Sequence, residues 1–431
     1  MQTVKIPYGR GTRHISVDDD AFVLEARLER ANIAENEADT CTVYEVRSIV
    51  KKALNCPVDS DPLSVLARGK KKIVIITSDH TRPVPSSTTL PLILSELREG
   101  SPDAEISILV ATGLHRETTW EELVSKFGKH LLETERFVMH HSTVASESVH
   151  IGSTSNNSSL KINRLAYDAD LLIAEGFIEP HFFAGFSGGG KSILPGIADA
   201  KSICANHCAG LINHPCSGTG ITEGNPIYAE MQEAARLAKL AFILNVVLDN
   251  EKRIVAAFAG NPRTAHLKGC QTVRNMFCVE ARKADIVVVS NGGYPLDQNI
   301  YQAVKGMTAA EATCRENGVI IVLAECCNGY GSDDFYQFFD NRRSIDFLYN
   351  KIMETPAEDT EIDQWEAQIL LRILGKHTII LISSLPKDIV EVFRLHHADS
   401  FDEAYRLAKS MVQNPCPAVA VIPDGVSVII Q

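Results

Sequence analysis

Two histidines, two lysines, an arginine and a run of glycines carry the residue types that could do chemistry in this chain. His115 and His181 each follow an apolar run by a few residues. A free imidazole is half protonated near about pH 6.5, so it can take or give a proton under cell conditions. Two of them on opposite sides of one carbon would suit a reaction that works from both faces. Either one alone reads equally well as an ordinary loop histidine. Arg82 can grip a carboxylate with two parallel hydrogen bonds. Asp79, three residues earlier, could instead simply pair with it. His207 stands beside Asn206 and near Cys204 and Cys208, which makes it a candidate metal donor on spacing alone. Tyr301, Gln302 and Lys305 project within one turn of an expected helix, a pattern that also suits a surface or interface face. Trp365 sits in a charged helix, where core or interface packing is the plain explanation.

Lys191 closes the most particular stretch. Residues 185–192, GFSGGGKS, fit the phosphate-loop pattern G-x-x-x-x-G-K-S letter for letter. Ser187, Gly188, Gly189 and Gly190 would let an anionic ligand approach the backbone, and a helix starting there would favour its charge. Lys191 could clamp phosphate or act as a nucleophilic amine. One reading is therefore a nucleotide-binding phosphotransferase or hydrolase using residues 185–192. Two features weigh against it. The loop does not come straight off its strand, and no apolar strand ends in an Asp placed to hold magnesium.

The elements that must position these residues alternate. Apolar, β-branched runs at 73–77, 105–110 and 171–175 read as buried parallel strands. Each ends in polar residues: Asp79 to Arg82, Thr112 to Arg116, and Glu179 to His181. Three strands with their polar cargo at one end point to a shared crevice. Residues 4–7 and 14–17 suggest a small hairpin. Helices are expected at 46–54, 89–99 and 117–126, from Lys191 through His207, and at 225–240 and 262–283. His140, His141 and His150 read as surface residues. Strands at 242–248 and 254–258 join through a turn at 249–252. A second strand–helix series follows, with strands at 284–290, 318–325, 378–383 and 418–423. Its helices are expected at 298–317, 344–353, 360–374 and 402–412. This alternation predicts an α/β protein of two domains, mainly parallel sheets flanked by helices, with the active site in the cleft between them. The expected division is 1–275 for cofactor binding and catalysis, and 276–431 to complete the substrate site.

The chain has 431 residues, is 45% hydrophobic and 22% charged, and carries a formal charge of −12. That is ordinary globular composition, and the charge argues against nonspecific nucleic-acid binding. With neither an apolar signal core near the N-terminus nor a run of about 18 apolar residues, a cytoplasmic protein without a membrane span is expected. The eleven cysteines are scattered without a C-x-x-C pair, so they read as reduced core residues rather than a zinc site.

Taken together, Ser78 to Pro83, Ala111 to Arg116, Glu179 through Gly196, and Tyr301 to Lys305 resemble the nickel-dependent lactate racemase family over nearly the whole chain. The resemblance implies a racemase or epimerase of 2-hydroxy acids. It also implies a nickel pincer nucleotide, pyridinium-3-thioamide-5-thiocarboxylic acid mononucleotide, made by separate cofactor-synthesis enzymes. Lys191 would tether that nucleotide and His207 would ligate its nickel. His115 and His181 would be the acid/base pair. Asp79, Arg82, Tyr301, Gln302, Lys305 and Trp365 would meet the substrate, and the C2 hydrogen would leave as hydride. The resemblance spans acids as different as lactate, malate and sugar acids.

Overall fold

The computed structural model describes residues 1–26, 41–249, 251–339 and 343–431. Two six-stranded sheets form its frame. The first runs in spatial order Ile254–Gly260, Leu240–Leu248, Leu171–Phe177, Lys72–Ser78, Glu105–Ala111 and Arg136–Met139. All its pairings are parallel except that of Ile254–Gly260, which returns as a hairpin. Asn250 of the expected hairpin turn lies outside the described residues. The second sheet is parallel throughout. Its order is His396–Ala398, Thr378–Ile382, Cys314–Leu323, Ala284–Ser290, Val419–Ile422 and Phe22–Val23.

Burial on both faces explains the strand compositions. Ile73, Val74, Ile75 and Ile76 are all at most 2% exposed, so the strand has no solvent face and no polar alternation. Helices Ser86–Gly100 and Ile300–Thr313 contribute apolar stripes to the two cores.

The N-terminus crosses between units. Strands Gln2–Tyr8 and Gly11–Val17 form the expected hairpin, and its apolar face packs on the second sheet through Val4, Ile6, Ile15 and Val17. Phe22–Val23 then becomes an edge strand of that sheet. Three other expectations are corrected. The helix expected at 262–283 ends at Phe277, and Cys278–Val279 pairs instead with Ile429–Ile430. The stretch from Lys191 to His207 is two elements: a four-residue 3-10 turn, Gly189–Ser192, and a helix Ala200–Asn206 capped by Asp199. Pro195 and Gly196 separate them, and a Cβ at Gly196 would lie 2.2 Å from the Ser192 carbonyl oxygen. His140 is buried, contrary to the surface reading, and its Nε2 donates to the Ala198 carbonyl at 2.9 Å.

Candidate active site

In the first sheet the strand order reverses between Lys72–Ser78 and Leu171–Phe177. A crevice therefore opens beyond their carboxyl ends, where ligands settle in open α/β sheets. Asp79 and Arg82 leave the first of these strands. Glu179 and His181 leave the second, and His115 follows the neighbouring strand Glu105–Ala111. Helix Ile300–Thr313 of the second unit faces them. Asn299 caps its start by accepting from the Gln302 N–H at 2.8 Å. Asn291 secures its flank by donating to the Gln302 carbonyl at 2.9 Å and accepting from the Gly306 N–H at 2.7 Å.

The result is one cavity of about 650 Å³ between the two units. It is lined by every expected site residue except Gly190, whose Cβ position abuts the Met231 carbonyl at 2.3 Å. The size is typical of small-molecule sites.

His115 Nδ1 donates to Asp79 Oδ2 at 2.6 Å, and Asp79 Oδ1 accepts from the Thr81 N–H at 3.0 Å and hydroxyl at 2.6 Å. Asp79 thus pairs with His115 rather than with Arg82, because the loop turns its carboxylate beneath the imidazole. Burial alone would raise the Asp79 pKa. The His115 ring, Arg82 and the Thr81 hydroxyl outweigh it and hold the carboxyl well below its usual range. In its neutral form His115 therefore carries its proton on Nδ1 and presents a lone pair at Nε2.

His181 is arranged the other way. Its Nδ1 accepts the Ala184 N–H at 3.3 Å, so the neutral ring carries its proton on Nε2. Burial, and then the charges of Lys191, Lys305 and Arg82, push its pKa well below the usual value and keep it neutral. The Lys191 pKa is likewise driven well below its usual value by burial and then by Arg82 and Lys305. Among the described residues Lys191 makes no ion pair, and its Nζ lies over the ring of Phe183 at 5.9 Å from the centroid.

His207 follows the helix Ala200–Asn206 and is 4% exposed. Its ring meets Phe183 edge-on at 5.0 Å and Trp365 at 4.9 Å. Burial, then Lys191, lowers its pKa to about 3. Its Nδ1 is buried with no hydrogen-bond partner among the described residues. Trp365 Nε1 donates to Tyr301 Oη at 3.1 Å, which joins two expected substrate residues. Lys305 Nζ donates to Gln302 Oε1 at 2.5 Å.

The glycine run departs from a phosphate loop. Gly188 and Gly189 have φ of +81° and +55°. A Cβ at Gly189 would lie 2.6 Å from the His266 ring, and one at Gly188 would lie 2.8 Å from Asn245 Oδ1. Their need for glycine comes from packing against the protein beneath them. The Gly189 N–H is already bonded to Asn245 Oδ1 at 2.8 Å and the Lys191 N–H to the Gly188 carbonyl at 3.1 Å. No long helix starts at Lys191, so the expected helix-terminus field for an anion is missing. The phosphotransferase reading is not favoured.

Sequence reasoning overlooked Glu179, Asn245, His266, Asp363 and Glu366. Glu179 stands inside the glutamate–proline–histidine signature. The others become visible only when distant elements meet under the loop or around the cavity.

A cleft between two α/β units, lined by two imidazoles whose Nδ1 atoms are engaged in opposite senses and by three basic side chains, has the makings of an enzyme that moves protons on an anionic substrate. Residues 8–220 match the model of the lactate racemase N-terminal domain, and residues 279–430 that of the lactate racemase C-terminal domain. Full-length relatives agree: the lactate racemase of Thermoanaerobacterium thermosaccharolyticum is 49% identical over 434 residues, and that of Lactiplantibacillus plantarum 46% over 436, each alignment covering both chains completely. The solved lactate racemase apoprotein from T. thermosaccharolyticum superposes with a TM-score of 0.93 at 48% identity over the full length of both chains. A Thermotoga maritima structure, 19% identical with a TM-score of 0.67, shares the fold over 92% of this chain. The chain belongs to the lactate racemase family, and it is an isomerase, a racemase. No helix among the described residues is long and apolar enough to cross a membrane.

Proposed function

We propose that this racemase inverts C2 of a 2-hydroxy acid of the lactate type, using His115 and His181 on either side of that carbon. The observation that carries this reading is the pair of imidazoles: both line one cavity with Arg82 and Lys305, and they present opposite tautomers. Arg82 and Lys305 hold the substrate carboxylate, with Tyr301, Gln302 and Trp365 shaping the pocket around them. His115 Nε2 accepts the C2 hydroxyl proton, and Asp79 stabilises the imidazolium that results. His181 hydrogen-bonds the same oxygen through its Nε2–H while it is a carbonyl, and the proton held by the His115 imidazolium returns to that oxygen once the C2 hydrogen is back on the other face. For the mirror-image substrate His181 serves as the base, once its ring proton has moved to Nδ1. The contact displaced is then the 3.3 Å one from the Ala184 N–H. Closure of the two units over the cavity keeps water from the planar 2-keto acid while it turns.

The residues present fit a nickel pincer nucleotide. The His207 imidazole is neutral and has an unpartnered buried nitrogen, and Lys191 is a buried amine whose pKa burial drives well down. No cluster of three or more His, Cys, Asp or Glu among the described residues could hold a metal alone, so nickel on His207 would take its other donors from the nucleotide. Lys191 would hold that nucleotide, with Ser187, Gly188 and Gly189 beside it. When bound, the group supplies an acceptor for the C2 hydrogen leaving with its electron pair, which avoids a carbanion beside a carboxylate. The division into a cofactor-binding unit, 1–275, and a substrate-completing unit, 276–431, belongs to this reading.

The test uses protein produced together with the cofactor-making enzymes. Wild type should carry about one nickel per chain and abolish the optical rotation of single-enantiomer lactate. His115→Ala and His181→Ala should retain nickel and lose on the order of 100-fold to 10,000-fold in turnover. Lys191→Ala and His207→Ala should lose the metal. Near-normal racemisation by either histidine variant sinks the acid/base assignment.

A further inference from the structure

The cavity contains a buried carboxyl that the chemistry above leaves unused. Glu366 lies on helix Gln364–Leu374, one residue beyond Trp365, and is 1% exposed. It lines the same cavity as Lys305 and Lys191. Its Oε1 is buried and has no hydrogen-bond partner among the described residues. An unpaired buried polar atom is costly and calls for a reason. Lys305 and Glu366 line one cavity, yet the two form no ion pair among the described residues; the Lys305 amine turns to Gln302 Oε1 instead. An ammonium and a carboxyl therefore border one space without closing on each other, which leaves room for a group that bonds to both.

The protonation state defines what that group must be. Burial pushes the Glu366 pKa up; Lys305 and Lys191 oppose the rise and Asp363 adds to it. The carboxyl keeps its proton near neutrality and is a hydrogen-bond donor, as a carboxylic acid in an apolar site can be. A substrate carboxylate accepts from several directions at once, from N–H and O–H donors alike.

We infer that Glu366 is a substrate-binding residue, its carboxyl O–H donating to the carboxylate of the 2-hydroxy acid that Arg82 and Lys305 hold. This rests on the function proposed above. It adds a third donor from the second unit, and it selects for a carboxylate at that end of the substrate, because a neutral amide or ester would offer a much weaker acceptor.

The experiment compares wild-type holoenzyme with Glu366→Met and Glu366→Gln. Methionine keeps the length but cannot donate; glutamine donates from the same place. Loss of one hydrogen bond to a charged group should raise KM for lactate on the order of 10-fold to 100-fold in the Met variant. Its kcat should change by no more than about threefold, and its melting temperature should hold or rise, since an unpaired buried oxygen is gone. The Gln variant should keep KM within about threefold of wild type. A Met variant with unchanged KM, or a Gln variant as impaired as Met, overturns the inference. If the Met variant does not fold, glutamine decides alone. Raising the pH beyond neutrality ionises the wild-type carboxyl but not the amide, so the ratio of wild-type to Gln KM should climb, and a flat ratio refutes the role. Wild-type holoenzyme that racemises no 2-hydroxy acid removes the underlying proposal; an active wild type with indifferent variants removes only Glu366.

Discussion

Replacing Asp79 by asparagine should disable the enzyme while leaving its shape intact. The two side chains are nearly isosteric, and the Asn carbonyl can still accept from the Thr81 N–H, now at 3.0 Å from Asp79 Oδ1. The amide NH2 then faces His115 Nδ1 across the former 2.6 Å contact. It can only donate there, so His115 must put its proton on Nε2 and turn its lone pair away from the substrate. In the proposed mechanism, the base for the hydroxyl proton is then in the wrong tautomer. General-base catalysis contributes about 100-fold to 10,000-fold, or roughly 3–5 kcal/mol of barrier, and most of that should vanish from kcat. The same exchange in a serine-protease triad acts through the tautomer in this way. Holoenzyme with normal nickel content would be followed by optical rotation from each lactate enantiomer separately. Because the two enantiomers are equal in free energy, kcat/KM must fall by the same factor in both directions, whichever face His115 serves. An Asp79→Asn variant within threefold or so of wild type would show that the carboxylate does not govern the His115 tautomer.

Other outcomes follow from burial around the same loop. Gly189→Ala places a methyl 2.6 Å from a fully buried His266 ring at a φ of +55°, which should cost about 2–5 kcal/mol in left-handed strain and overpacking; an unchanged denaturation midpoint would contradict this. His266 itself predicts acid sensitivity. Burial lowers its pKa to about 4, so between about pH 6.5 and 4 the unfolded chain binds a proton that the folded chain refuses. Stability is thus full above that window and falls as pH drops through it, by about 3 kcal/mol at the lower end. The melting temperature should fall more steeply over this range in wild type than in His266→Gln, and parallel curves would refute the assignment.

Much of the frame was legible because strands buried on both faces must be apolar and β-branched. The runs ending at Thr77, Val110 and Glu175 therefore revealed both the sheet and the crevice at its carboxyl edge. The family signature residues likewise stood together in the chain. Local pattern misled where long-range contacts decide. Apolar spacing from Lys191 to His207 imitates a helix, while Pro195 and Gly196, the opposing signal, break it. His140 looked like a surface residue because its partners, Asn163 and Ala198, come from other elements.

By itself the sequence determined which functional groups exist, and that three strands deliver them to one end of a sheet, since side-chain chemistry and periodicity are local properties. Only the tertiary structure decided their protonation. Which ring nitrogen of each histidine is engaged, why the Lys191 pKa falls, and why Glu366 keeps its proton all depend on burial and on partners contributed by distant segments. Proton affinity is set by the surroundings of a group, and those surroundings exist only once the two units have met.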